Sequence, residues 1–475
     1  MKVNPQIFRG YDLRGVVGDD LSTKLFEHLG KGYSSYLIKH NIGDTVIVGR
    51  DARETSLEYS SALIKGITGS GLNVIDIGMT FVGTFYWSQY FLKQKGGVFI
   101  TASHNPKNYN GAKFSVDYSE TMVTDEIQEL RKIVEDEAYE TTGKSGKITK
   151  KDIKEDYIKE MKERVEIVKP LKVLVDTGYS TGGVIVPEVL KAFGLDVVEM
   201  HTKVDSSFPL GAPDPTETEL AERLSKEVVE SSADVGFSYD SDGDRIGIVD
   251  EKGEIIWNDI LVAIFSLDIL ERYPGSTIMF NSLCSSAVPE TIQKNGGKPF
   301  MWRTGHSFLK KKNQEVGAAF IGELSGHFFF SKDFYNHDDG IYSTLRLLSY
   351  LARKNKKLSD IVETLPKYVS SPEIKVGYPD DKKVKMIEDL AKRIRKEKPE
   401  AKVIDDESLG DGVRFETNTS MFVVRYSQNG PYITVKIEAK TKDEYEALRK
   451  YLAGLISSYK DVDWSFGVSQ DLLKP

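Results

Sequence analysis

Three short segments hold the densest clusters of reactive side chains in this 475-residue sequence. They are Thr101-Ala102-Ser103-His104-Asn105-Pro106, Asp240-Ser241-Asp242-Gly243-Asp244-Arg245 and Gly322-Glu323-Leu324-Ser325-Gly326-His327. A serine can hold a phosphoryl group and pass it on when its surroundings stabilise the transferring charge. Ser103 has His104, Lys113 and neighbouring backbone N–H groups for that purpose. Asn-Pro also initiates turns, so this segment by itself reads equally well as a loop.

Asp240, Asp242 and Asp244 carry a more specific signal. Carboxylates on alternate residues repel one another, and a divalent cation removes that cost. An all-oxygen set favours magnesium or calcium over zinc. Arg245 adds a cation for a phosphate that bridges to the metal. The spacing resembles a calcium loop, but such a loop needs glycine at its sixth position, where Arg245 stands, and helical flanks, where both sides here read as strands. Asp240 after an apolar strand also suits the nucleophile of an aspartyl-phosphate phosphatase.

Glu323, Ser325 and His327 fall on alternate residues, so an extended loop would point them one way. A carboxylate and a hydroxyl can grip vicinal sugar hydroxyls, and His327 can exchange a proton near neutral pH. Arg303-Thr304-Gly305-His306 shares this character; either segment also reads as a loop with a core histidine. Arg425-Tyr426-Ser427-Gln428-Asn429-Gly430 offers a fixed cation, a hydroxyl, amides and N–H groups, a plausible phosphate cradle. Asn429-Gly430 is equally a hairpin signal, and the two readings are compatible.

The elements that must position these groups recur. Three times a β-branched run opens a unit: Thr45-Val46-Ile47-Val48, Lys172-Val173-Leu174-Val175 and Thr277-Ile278-Met279-Phe280. A second strand-like segment follows near Leu72–Ile75, Leu195–Val198 and Lys298–Met301. A third follows at Gly97–Ile100, Asp234–Phe237 and Ala318–Ile321. The third strands lead into the three reactive segments. Strands alternating with helical stretches predict α/β layers, whose ligands collect beyond the strand C-termini. Leu25, Leu29, Tyr33 and Leu37 predict a helix capped by Ser22, and Asp152 to Val168 reads as a charged helix. Pro366 to Pro372 reads as a linker. Beyond it, Thr419–Tyr426 and Tyr432–Lys440 alternate like paired strands and a helix spans Asp443–Tyr459. The expected fold is therefore three related α/β domains, able to point their loops at one central cleft, plus a smaller C-terminal α+β domain, with boundaries at 1–151, 152–254, 255–369 and 370–475.

Composition narrows the class. A chain of this length predicts several domains, and 40% hydrophobic residues suffice for their cores. No apolar run reaches the ~18 residues of a membrane span, the best, Leu261 to Leu270, being broken by Asp268. The opening Met1-Lys2-Val3-Asn4-Pro5 lacks an apolar signal core. The single cysteine, Cys284, cannot close an internal disulfide and fits a reducing cytoplasm. A net charge of −8 argues against nucleic acid as a partner.

Phe8-Arg9-Gly10-Tyr11-Asp12-Leu13-Arg14-Gly15 followed in order by the Ser103, Asp240, Glu323 and Arg425 segments resembles the α-D-phosphohexomutase superfamily, in its phosphomannomutase/phosphoglucomutase branch. The resemblance covers nearly the whole chain, and five ordered motifs are far more specific than any one. It implies four domains around a central cleft, three of them related α/β domains and the fourth, the C-terminal α+β lid domain, mobile. It implies that hexose 1- and 6-phosphates (mannose, glucose or both) are interconverted through phosphoserine at Ser103 and a hexose 1,6-bisphosphate. It implies magnesium on Asp240, Asp242, Asp244 and a phosphoserine oxygen. Arg9, Tyr11, His104, Lys113 and Arg245 would surround the transferring group, with Lys113 and His327 as proton-transfer residues. Glu323 and Ser325 would hold sugar hydroxyls beside Gly305 and His306. Arg425, Ser427, Asn429 and Gly430 would bind the unreactive phosphate. The implied partner is a phosphosugar, with no nucleic acid or membrane, and the chain is a monomer or small homo-oligomer.

The chain departs from the pattern at three places. Leu283 stands where relatives often carry a nearby ligand-binding lysine, Gln428-Asn429 replaces the usual Asn-Thr or Gly-Thr, and Thr80–Thr84 lacks the usual Thr-Pro. Leu324 resembles the methionine of mannose- and glucose-phosphate enzymes, where phosphoglucosamine mutases tend to have glutamine. A phosphatase using Asp240 or Ser103, with Asp338 and Asp339 as its second acidic motif, and a non-catalytic phosphosugar binder are the competing functions.

Overall fold

The computed structural model describes residues 1–427 and 430–474, Arg9 by its backbone alone. The chain falls into two compact units, one of residues 1–258, 313–315 and 325–361, the other of 259–312, 316–324 and 362–475. Among the described residues no helix is long and apolar enough to cross a membrane.

In the first unit, strand Thr45–Arg50 lies between Asn73–Met79 and Gly96–Ile100, all parallel. Gly96–Ile100 is buried at every residue, as expected of a strand covered on both faces. The chain then turns back, so that Tyr109–Asp117 pairs antiparallel with it and sets Lys113 opposite Phe99. The Ser103 segment is the connection between these two strands. Helix Thr23–Lys39 has its N-terminus capped by Ser22, whose Oγ accepts from the Leu25 N–H, and it turns Leu25, Leu29, Tyr33 and Leu37 into the core.

The next sheet repeats the plan. Lys172–Asp176 lies between Asp196–Met200 and Val235–Tyr239, in parallel. Val235–Tyr239 is again buried throughout, and Ile246–Asp250 returns antiparallel to it, Tyr239 facing Ile246. The aspartate segment is this connection, the counterpart of the Ser103 segment. The helix expected from Asp152 to Val168 is shorter, Lys154–Arg164. The Asp152 carboxylate accepts from the Lys154 N–H and so stands before the first turn, while Val165 is already extended.

In the second unit, Thr277–Asn281 lies between Lys298–Trp302 and Phe320–Gly322, in parallel. The C-terminal sheet is antiparallel and runs Lys402–Ile404, Gly412–Glu416, Ser420–Tyr426, Tyr432–Ala439, Ile374–Gly377, Asp463–Val468. Helices Lys383–Glu397 and Lys442–Ser457 cover its apolar face. Within the expected linker, Val369–Ser370 pairs with Ala439 and Glu438. Three α/β units and a C-terminal α+β unit are thus the architecture the periodicities called for.

Candidate active site

Ser103 and the aspartate loop meet in the first unit. Ser103 Oγ donates to Asp240 Oδ2 at 2.8 Å and lies 3.1 Å from His104 Nδ1. The Ser103 backbone is left-handed, with φ of 50°, a conformation that costs a non-glycine residue about 1–3 kcal/mol. Its surroundings enforce that conformation. Thr101 Oγ1 accepts from the Ser103 N–H at 2.8 Å, and Ser241 Oγ donates to the Ser103 carbonyl. Beneath the loop, the buried Arg53 guanidinium donates to the carbonyls of Ser103, Asn105, Pro106 and Tyr109 at 2.5–2.9 Å. Arg53 is in turn 3.3 Å from the buried Asp51 carboxylate. Sequence reading passed over Arg53; the signal available was a charged pair, Asp51 and Arg53, just after a buried strand.

The carboxylates of Asp240, Asp242 and Asp244 are buried, with one oxygen from each lying within 4.8 Å of the others. Asp242 Oδ1 is buried without a hydrogen-bond partner among the described residues, which is unfavourable by about 1–3 kcal/mol unless something binds there. Burial, relieved by Arg245 and worsened by Asp244 and Asp242, pushes Asp240 well above the usual carboxylate range. The residues therefore fit a hard divalent cation, which would answer both the orphaned oxygen and the mutual repulsion.

The loop is held from below at Gly243. Its φ is +71°, and a Cβ there would fall 2.2 Å from the Phe81 ring, while the next residue, Val82, donates its N–H to the Asp242 carbonyl at 2.8 Å. Two cations face the cluster. Lys113 Nζ is 2.6 Å from Asp244 Oδ2 and 3.1 Å from Asp242 Oδ2. Burial opposes its charge, but these two carboxylates outweigh burial and hold the ammonium well above the usual lysine range. Arg245 donates from Nε and Nη2 to Asp240 Oδ2 at 3.0 and 2.9 Å, and its Nη2 lies 3.5 Å from Ser103 Oγ.

His327 joins the same neighbourhood. Its backbone bridges Arg245, and its Nδ1 lies 2.7 Å from Asp338 Oδ2 and 3.8 Å from Asp244 Oδ1. His104 is held neutral by burial and by the Arg245 charge, well below the usual histidine range. Tyr11 lies in the turn after strand Phe8–Arg9, and the Arg9 side chain is outside the description. Arg14, from the same motif, donates to Asp12 and to the Asn105 side chain, both at 2.8 Å, tying the motif to the Ser103 loop. Ser325 lies in a turn before His327, with Gly326 at φ +97°, so the segment is not the extended run that its alternate residues suggested.

The remaining candidates belong to the second unit. The buried Glu323 accepts from the Gly305 N–H at 2.9 Å, and His306 begins helix His306–Val316. Arg425, at the end of its strand, donates from Nε and Nη2 to the two oxygens of Asp411, both at 2.6 Å. Lys383 Nζ donates to the carbonyls of Ser427 and Gly430. Asn429 and Gln428 lie outside the described residues. Sequence reading did not single out Asp411 or Lys383. Strand register, Gly412 opposite Arg425, brings Asp411 to the arginine, and no local motif marks that pairing.

Comparison with known proteins agrees with this architecture. Residues 5–141, 155–253 and 257–368 match the family descriptions "Phosphoglucomutase/phosphomannomutase, alpha/beta/alpha domain" I, II and III respectively. Fold and matches together define an enzyme of the α-D-phosphohexomutase superfamily. A phosphomannomutase/phosphoglucomutase of Pseudomonas syringae pv. tomato is 37% identical over 443 residues, 93% of each chain. A phosphoglucomutase of Neisseria gonorrhoeae is 31% identical over 97% of this chain and 99% of its own. The crystal structure of a phosphoglucomutase/phosphomannomutase family protein from Burkholderia thailandensis superposes with a TM-score of 0.88 at 31% identity, covering 96% of this chain and 98% of that one. The chain belongs to the phosphoglucomutase/phosphomannomutase family.

Proposed function

We propose that the protein interconverts hexose 1-phosphate and hexose 6-phosphate, of mannose, glucose or both, through phosphoserine at Ser103 and a hexose 1,6-bisphosphate. The observation that carries this reading is the hydroxyl of Ser103 set between Asp240, Arg245 and His104. In the first half-reaction the bond from phosphorus to Ser103 Oγ breaks and a bond to the free sugar hydroxyl forms. That hydroxyl loses its proton to a protein base, and the departing Ser103 Oγ takes one from a protein acid. The bisphosphate then turns end for end, and its other phosphoryl returns to Ser103 Oγ, whose proton passes to the base as the departing sugar oxygen takes one from the acid. The net change is an isomerisation, with no water consumed.

Arg245 lies beside the serine, placed to follow charge on the moving phosphoryl oxygens. Lys113, held as an ammonium, suits the acid or the electrostatic role. His327, oriented at Nδ1 by Asp338, suits the base. Asp240, Asp242 and Asp244 would hold magnesium, with an oxygen of phosphorylated Ser103 completing the set. When bound, the cation supplies positive charge against the phosphoryl oxygens. Glu323 and Ser325 would hold sugar hydroxyls beside Gly305 and His306. Arg9 and Tyr11 would face the reacting phosphate, and Arg425 with Ser427, Asn429 and Gly430 the other.

A phosphatase would need neither a sugar grip nor a second phosphate cradle, so those features favour the mutase. Mannose, glucose and glucosamine 1-phosphates assayed with a bisphosphate activator, with inorganic phosphate release followed alongside, test the reading. Interconversion without net phosphate release is expected; stoichiometric release to water would replace it with the phosphatase.

A further inference from the structure

The guanidinium of Arg245 has a second carboxylate partner that the motifs do not contain. Asp214 is buried, and its Oδ1 lies 3.3 Å from Arg245 Nη1. Arg245 is thus bracketed, with Asp240 on its Nε–Nη2 side and Asp214 on its Nη1 side. Asp240 is a poor sole anchor for this arginine, because the proposed cation would draw on the same carboxylate. Asp214 stands outside the carboxylate cluster and has no such competing duty.

Asp214 is itself held rigidly. Its Oδ1 accepts from the Thr216 N–H at 3.0 Å and from Thr216 Oγ1 at 2.8 Å. Its neighbours Pro213 and Pro215 are buried on either side. A Cβ on Gly178 would fall 2.7 Å from Pro213 Cβ, and one on Gly247 would fall 2.9 Å from Pro215 Cβ. Both prolines therefore sit directly on glycine backbone, and one of those glycines, Gly247, is only two residues beyond Arg245. This fixes the carboxylate relative to the loop that carries the arginine.

We propose that Asp214 is a positioning residue for phosphoryl transfer: it holds the Arg245 guanidinium in the orientation that keeps Nη2 against Ser103 Oγ. The inference rests on the proposed mutase function. Its effect should be on turnover, since Arg245 follows the transferring charge, with little effect on binding the rest of the sugar phosphate.

Asp214→Asn keeps an oxygen for the Thr216 turn and removes the charge. The expected result is a fall in kcat of about tenfold or more with KM changed by less than about threefold. Thr216→Val removes one of the two Thr216 hydrogen bonds to the carboxylate but keeps its charge and the N–H bond, and should lower kcat clearly less than Asp214→Asn does. Arg245→Lys alone should also lose turnover, and adding Asp214→Asn to it should cost little more, because the two act as one unit. Wild-type kcat in Asp214→Asn, full additivity with Arg245→Lys, or an equal loss in Thr216→Val would each overturn the inference. The first two would leave the mutase reading intact if the wild-type chain interconverts sugar phosphates and Ser103→Ala does not. A wild-type chain without such turnover would remove both.

Discussion

Ser103 Oγ and Asp240 Oδ2, 137 positions apart in sequence, are joined by a 2.8 Å hydrogen bond. The serine hydroxyl is the donor, so the bond belongs to the unphosphorylated residue alone. An esterified Oγ has no hydrogen to give. Phosphorylation would therefore leave Asp240 Oδ2 to Arg245 and to any bound cation. Ser103 and the carboxylate cluster are in this way coupled by a hydrogen bond that only the unphosphorylated serine can make.

Replacing Ser103 with alanine removes the proposed acceptor of the phosphoryl group while leaving the Arg53 cradle, whose bonds to this loop all go to backbone carbonyls. Mutase turnover should fall by at least about 10³-fold with the thermal midpoint nearly unchanged. Mass spectrometry of the active wild-type enzyme should place phosphate on Ser103. A stable phosphoenzyme on Asp240 instead would reassign the nucleophile.

Asp242 is the sharpest probe of the proposed metal site. Its Oδ2 is engaged by Lys113 and Thr101, at 3.1 Å each, while Oδ1 has no hydrogen-bond partner among the described residues. Asp242→Asn should weaken magnesium binding by roughly tenfold or more, since ligand charge sets the affinity of such sites. Calorimetric titration with magnesium would read this directly. Undiminished turnover in a chelator would show that the aspartate loop serves another end.

Arg425→Ala tests the distal phosphate. If one site serves both orientations of the bisphosphate, then 1-phosphate and 6-phosphate sugars should both lose affinity for the phosphorylated enzyme. The loss of a hydrogen bond to a charged group is ~1.5–3 kcal/mol, roughly 10- to 150-fold. The fork already grips Asp411, so Asp411→Asn should also change affinity for both. Weakening of one sugar phosphate only would require separate anchors.

Asp339 predicts a pH effect on stability. Burial raises its pKa to about 6, against backbone N–H groups and the Tyr157 hydroxyl, which favour the charged form. The folded state therefore binds the proton more tightly than the unfolded chain, whose aspartate titrates near 3.9. Folding favours the protonated form, and this contribution is present at low pH and is lost as pH rises from about 4 to about 6. Asp339→Asn cannot titrate. Its stability relative to wild type should thus improve by up to about 2–3 kcal/mol between pH 4 and pH 7. Urea unfolding at several pH values measures the difference, and a pH-independent gap would refute it.

How much was readable in advance depended on how local each interaction is. The Ser103 and aspartate segments announce themselves because their groups are neighbours in sequence at the ends of apolar strands. The strands expected at Gly97–Ile100 and Asp234–Phe237 were equally plain, and they stand in the structure as Gly96–Ile100 and Val235–Tyr239. Asp214, Arg53 and Asp411 were not, because each acquires its role from a partner brought by tertiary structure. The turn at Gly326 also defeated the alternation rule, which assumes extended backbone that this segment lacks. Within the linker, Val369–Ser370 became a strand because a neighbouring strand offered it a ladder, not because of its own residues.

The Arg53 cradle has a consequence for protease resistance. An irregular loop rich in polar residues is ordinarily where a chain is nicked, because a protease must draw about ten residues into an extended form. Between Ser103 and Tyr109 four of the carbonyls, those of Ser103, Asn105, Pro106 and Tyr109, are committed to one buried guanidinium. Pulling the loop out would strand that cation beside Asp51 with its donors unmet. The segment that carries Ser103 should accordingly outlast the exposed loop 141–145 under limited digestion, although both are irregular.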